Sequence, residues 1–140
     1  MKTLILDSGA FIVAERSRAR VAALLRAALD EGSTILTTAS VIAEIWRAPP
    51  LHATAALIKL LDSVDPMNES RAKEIGTLLG RSKSVQIVDA HVATLAIRTQ
   101  PSLIVTSDPT DYETLLASMA VHFDHVEKRD RKASVTIAAI

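Results

Sequence analysis

Four acidic residues stand where a folded chain can gather them into one site: Asp7, Glu44, Asp89 and Asp108. Asp7 ends the apolar run Thr3-Leu4-Ile5-Leu6, which reads as a buried strand. Asp108 ends another, Leu103-Ile104-Val105-Thr106-Ser107. Glu44 lies in a short helical segment between Ser40 and the Pro49-Pro50 break, and Asp89 opens an apolar helical stretch. In an open parallel sheet, ligand sites form at the carboxyl ends of the strands. Two carboxylates at two such ends therefore face one crevice. Carboxylates packed close together repel one another unless a cation lies between them, and hard oxygen ligands of this kind suit Mg²⁺ or Mn²⁺. The chemistry such a set allows is metal-assisted hydrolysis, in which the ion lowers the pKa of a bound water and offsets charge on a phosphate.

The elements that must hold these residues alternate along the chain. Residues 3–7 read as a strand and 17–31 as a helix, since Val21, Leu24, Leu25, Ala28 and Leu29 keep helical spacing and Gly32 supplies a stop. The β-branched segment Thr34 to Thr38 reads as strand two. Helices follow at about 40–47 and 51–61, divided by Pro49-Pro50, and Asp65-Pro66 breaks the second. Asn68 caps a helix over 69–81, and another runs from Asp89 to Arg98. Leu103 to Ser107 is a strand. Asp108 and Pro109 suit the cap and first position of a helix reaching Met119. Val121 to Val126 and Ser134 to Ile140 read as last strands. Strands alternating with helices imply parallel pairing in an α/β sandwich, with the paired helices after strand two as an inserted arm.

Composition narrows the classes. One domain accounts for all 140 residues, and 49% apolar content is enough for a core. Cysteine is absent, which removes disulfides and thiolate metal sites and fits a reducing cytoplasmic location. The N-terminal apolar stretch is too short for a signal peptide, and the longest uncharged run, Gly32 to Ala43, is too short to span a membrane. Lys plus Arg and Asp plus Glu both total 16, so net charge gives no argument for nucleic acid. Three local basic groups exist, around Arg16 to Arg26, Arg71 to Lys83, and Lys128 to Lys132; solvated helix faces explain most groups of this kind. No G-x-G-x-x-G or Walker A loop is present.

The motifs resemble those of the PIN-domain family, and in size and spacing the chain looks like the VapC-type toxin ribonucleases. The matching segments are Leu4-Ile5-Leu6-Asp7-Ser8-Gly9-Ala10-Phe11, Ser40-Val41-Ile42-Ala43-Glu44, Val88-Asp89-Ala90-His91-Val92-Ala93, and Val105-Thr106-Ser107-Asp108-Pro109-Thr110-Asp111-Tyr112. Each alone is weak; four in order cover nearly the whole chain. The resemblance implies a Rossmann-like α/β/α sandwich with a mainly parallel sheet, Mg²⁺ or Mn²⁺ dependence, and hydrolysis of RNA. Position by position it makes Asp7, Glu44, Asp89 and Asp108 the catalytic and metal-binding acids, with Ser8, Thr106 and Asp111 in support. It also implies an antitoxin partner. Gly9 and His91 depart from the pattern, standing where a side chain and an aliphatic residue are commoner.

Plainer roles compete with these. Asp7, Asp89 and Asp108 all suit helix starts, Asp111 completes a capping-box spacing after Asp108, and Glu44 borders a solvated flank. His122 and His125, three apart in a strand, face opposite sides and make a poor metal pair. Trp46 reads as a packing or interface residue rather than a base-stacking platform. The apolar segments Leu51 to Leu61 and Ser134 to Ile140 exceed what a small sheet needs, which leads to an expected homodimer. The rival function is a non-catalytic PIN-like scaffold binding a protein or RNA. A HAD-like phosphatase would need a second acid two residues after Asp7, where Gly9 stands, and a receiver domain would need adjacent acids there.

Overall fold

The computed structural model describes residues 2–121, 123–125 and 135–140. Its centre is a six-stranded sheet, ordered β3-β2-β1-β4-β6-β5 and parallel at every pairing. The strands are β1 (Thr3–Leu6), β2 (Thr34–Thr38), β3 (Ser63–Asp65), β4 (Ser102–Thr106), β5 (Phe123–His125) and β6 (Val135–Ala139). Among the described residues, seven helices flank it: α1 (Ser8–Arg16), α2 (Arg18–Asp30), α3 (Ala39–Ile45), α4 (His52–Leu60), α5 (Glu69–Ser82), α6 (Ile87–Arg98) and α7 (Pro109–Ser118). This is the α/β/α sandwich that the alternating pattern implies.

Strand order explains where a site can form. From β1 the chain moves to β2 on one side of the sheet, whereas from β4 it moves to β5 and β6 on the other. β1 and β4 are neighbours, paired Leu4 to Leu103 and Leu6 to Val105. Connections leaving adjacent strands in opposite directions open a crevice at their carboxyl ends. Asp7 follows β1 there, and Asp108 follows β4.

Three elements differ from the sequence reading. Helix α1 follows β1 almost without a loop, because Asp7 is its N-cap and accepts the Ala10 amide at 3.0 Å. Its residues Ala10, Phe11 and Ala14 are buried, one turn apart on a face too short to stand out as a periodic run. The Asp65-Pro66 break hides β3, whose mostly exposed residues carry no apolar signal. Helix α6 starts at Ile87, two residues before Asp89, so Asp89 sits inside the first turn and does not cap it.

The apolar tail is absorbed by the sheet. Val135, Ile137 and Ala138 of β6 are buried between β4 and β5, which corrects the expectation that this tail is surplus surface. Helix α6 is buried nearly all round, with Ala90, His91, Val92, Ala93, Leu95 and Ala96 inside. Its small residues let it lie close against its neighbours. Gly9 has a comparable reason: a Cβ there would collide with the Ser107 hydroxyl and lie 2.8 Å from the Ser107 backbone nitrogen. The start of α1 and the end of β4 approach too closely for a side chain. His122, Val126, Ser134 and the basic group Lys128, Arg129, Arg131 and Lys132 lie outside the described residues.

Candidate active site

Asp7 and Asp89 are brought together by a residue to which the sequence reading gave no role. The Tyr112 hydroxyl, buried in the first turns of α7, lies 3.2 Å from Asp7 Oδ2 and 3.3 Å from Asp89 Oδ1. A phenol has one hydrogen and donates to one acceptor at a time. One carboxylate oxygen therefore faces the phenol oxygen without a donated hydrogen, unless a proton or a cation is shared there. Tyr112 follows Asp111 by one position in the fourth motif, and a polar aromatic one turn into a helix beside an acidic crevice was the available signal.

The electrostatics agree with this crowding. Burial pushes the Asp7 carboxyl above the usual carboxylate range, against bonds from Thr106, Ala10 and Tyr112 that favour its charged form. Asp89 is pushed up to about 6, first by burial, then by the charges of Asp111 and Asp7. Burial and both carboxylates raise the Tyr112 phenol as well, so it remains a protonated donor.

The supporting residues divide. Thr106 is fully buried; its hydroxyl bonds Asp7 and accepts the Asp108 amide at 2.9 Å, tying the two strand ends together. Ser8 is buried beside Asp7, and its Oγ has no hydrogen-bond partner. Asp111 shares a side-chain hydrogen bond with Asp89. Asp108 is the N-cap residue of α7 in position, but its exposed side chain makes no capping bond. Glu44 lies exposed on α3, and among the described residues its carboxylate makes no bond to Asp7 or Asp89. Among the described residues, no three His, Cys, Asp or Glu side chains stand close enough to cage a metal unaided.

The donor set nonetheless fits a hard divalent ion. It offers two carboxylates, both raised by burial, and an unpartnered buried hydroxyl beside one of them. Mg²⁺ commonly binds through one or two carboxylates, with water and substrate phosphate filling the other positions. A site built this way needs no complete protein cage.

A second polar cluster lies beside the first. His91 is fully buried; its Nδ1 lies 2.7 Å from Ser40 Oγ and its Nε2 lies 2.8 Å from Asp65 Oδ2. Arg71 donates to both oxygens of Asp65, at 2.8 and 3.1 Å, and Arg98 reaches it at 3.4 Å. Part of the second basic group is thereby consumed in ion pairs, and Lys73 pairs with Glu69.

No protein-family model and no curated protein matches the chain. Solved structures do. One is a chain of VapBC2 from Rickettsia felis bound to a DNA fragment from the promoter, 12% identical with a TM-score of 0.60, covering 79% of this chain and 91% of that one. Another is a chain of VapBC-1 from nontypeable Haemophilus influenzae, 15% identical with a TM-score of 0.61, covering 82% of this chain and 93% of that one. The chain has the fold of these VapBC chains, the PIN-like α/β/α sandwich.

Proposed function

We propose that the protein is a Mg²⁺- or Mn²⁺-dependent endoribonuclease and the toxin of a type II toxin–antitoxin pair. The observation that carries the reading is the Asp7–Tyr112–Asp89 arrangement at the carboxyl ends of β1 and β4. The fold likeness to VapBC chains and the four motifs support the toxin part. Asp7 and Asp89 would hold the ion, with Ser8, Asp111, Asp108 and Glu44 lining the approach to it. When bound, the ion supplies an activated water and offsets phosphate charge. Tyr112 fixes the spacing of the two carboxylates, and Thr106 holds the Asp7 oxygens in place through β4. Asp7 is buried and held by Thr106, Ala10 and Tyr112, so its oxygens are preorganised for a phosphate group.

The test is cleavage of RNA by the purified protein. Internal cuts with Mg²⁺ or Mn²⁺ are expected, stopped by EDTA and by Asp89→Ala. The ends are expected to be 5′-phosphate and 3′-hydroxyl, because water rather than the 2′-hydroxyl attacks. Activity surviving both EDTA and Asp89→Ala would show that another site, or a contaminant, is the catalyst.

The antitoxin surface in this reading is a groove of about 290 Å³ between α1, α2 and α4. Val21, Leu25, Ala53 and Leu57 line it, with Arg18 and Arg26 also on its wall. Glu15 of α1 accepts the Thr54 amide at 2.7 Å, so two walls of the groove, α1 and α4, are tied together. An amphipathic segment with an apolar face and acidic flanks fits it. Self-association is a further part of the reading, since Leu51 and Leu60, and also Val85 and Ile87, remain exposed. Light scattering at micromolar concentration is expected to give twice the 15.0 kDa chain mass, rising when the product of a candidate antitoxin gene is added. A monomer unaffected by that product would overturn both the dimer and the pairing.

A further inference from the structure

Helix α3 carries both Ser40 and Glu44, four residues apart and so on one face, one turn from each other. Ser40 is bound by His91, which places that face of α3 against α6. α6 also carries Asp89, two residues before His91. The imidazole itself is held from its other side by Asp65 at the end of β3, and Asp65 is fixed in turn by Arg71 of α5 and Arg98 of α6. One buried ring therefore joins α3, α6, β3 and α5. β3 is a three-residue edge strand with little buried surface, and α3 has only seven residues. β3 has little apolar contact to fix its position, and α3, which buries Val41 and Ile45, is tied to α6 by the polar chain in addition.

We propose that His91 is a positioning residue: through Ser40 it fixes α3, and with it Glu44 one helical turn on, against α6, the helix that carries Asp89. The inference rests on the ribonuclease reading above and adds a role for the His91 departure from the family pattern. A buried polar group is costly unless its partners are satisfied. Here both ring nitrogens are satisfied, by partners on different elements, and the carboxylate behind them stays paired with two guanidinium groups. Removing the imidazole leaves Asp65 paired and Ser40 within reach of water, so His91→Leu is expected to fold.

The experiment is a double-mutant cycle on Mn²⁺ affinity, by calorimetry, and on RNA cleavage, with His91→Leu, Glu44→Gln and both together. His91→Leu is expected to lower kcat about 10–100-fold, the scale of a misplacement near 1 Å, with a smaller change in KM and weaker Mn²⁺ binding. The double variant is expected to be no worse than Glu44→Gln alone, because both remove the same contribution. His91→Gln, which keeps a donor and an acceptor, is expected to restore part of the loss, and Ser40→Ala to cause a milder loss of the same kind. Additive effects in the cycle, or a Glu44→Gln protein indistinguishable from wild type in both measurements, would overturn the proposal. A wild-type protein that neither binds Mn²⁺ nor cuts RNA would instead overturn the ribonuclease reading. If His91→Leu does not fold, the cycle is run with Ser40→Ala, and the same additive outcome counts against the proposal.

Discussion

Asp7→Asn is expected to lower RNA cleavage at least about 100-fold, since even residues behind a metal ligand commonly cost 10–100-fold when changed. The same variant is expected to melt a few degrees higher than wild type in EDTA. The two effects share a cause. Burial pushes the Asp7 carboxyl up, so the folded protein holds a negative charge in a place that disfavours it. Asparagine keeps the shape. Its oxygen can still accept the Ala10 amide, the cap of α1. Its nitrogen can donate to the Tyr112 oxygen, leaving the phenol hydrogen for Asp89. The unresolved acceptor of the present arrangement is thereby satisfied, and one of the charges raising Asp89 disappears. What is lost is a ligand oxygen carrying charge. Circular dichroism, thermal melting and the cleavage assay on the same preparation check both halves. An unfolded Asp7→Asn protein would show that the carboxylate serves the cap and the Tyr112 contact as structure only.

Much of the fold was legible because its elements keep their periods. Helices α2, α4 and α5 lie within one or two residues of their expected bounds, as do β1, β2 and β4. The elements that escaped are short or weakly apolar. Helix α1 begins immediately after β1, so strand and helix merge into one apolar run from Thr3 to Ala14 broken only by Asp7, Ser8 and Gly9. β3 is mostly exposed and ends at an acid followed by proline, which reads as a break. The candidate site was legible where residues stand at strand ends, as Asp7 does, and at the start of α6, as Asp89 does. Tyr112 offered only the weak signal of a polar aromatic in the fourth motif, because its role depends on a contact across 105 positions to Asp7. The partnership of Ser40, His91 and Asp65 is hidden for the same reason: the three residues come from α3, α6 and β3 and meet only after the sheet and its helices are packed.

In EDTA the protein is expected to be more stable near about pH 5 than near about pH 7.5. An ordinary aspartate in an unfolded chain titrates near about 3.9. In the folded protein Asp89 titrates near about 6, so across that interval the folded state binds the proton that the unfolded state has released. The stabilisation from protonated Asp89 is fully present below the unfolded value and is lost as pH rises through 6, the folded value. Asp7, also raised by burial, contributes in the same direction. Solvent screens part of this effect at the half-buried Asp89, so the resulting fall in Tm is about 2–3 °C for a chain of this size. Other groups titrate in this range, so the quantity of interest is the difference between wild type and Asp89→Asn, whose own profile is expected to be flatter. Mn²⁺ is expected to reverse the slope, since an ion that binds the deprotonated carboxylates stabilises the folded state more as protons leave. Melting curves from about pH 5 to 7.5, with EDTA and with Mn²⁺, test both slopes. A wild-type profile in EDTA that rises over this interval relative to Asp89→Asn would show that Asp89 is not the crowded, proton-holding acid its burial and neighbours make it. A slope unchanged by Mn²⁺ would remove the cation from the crevice.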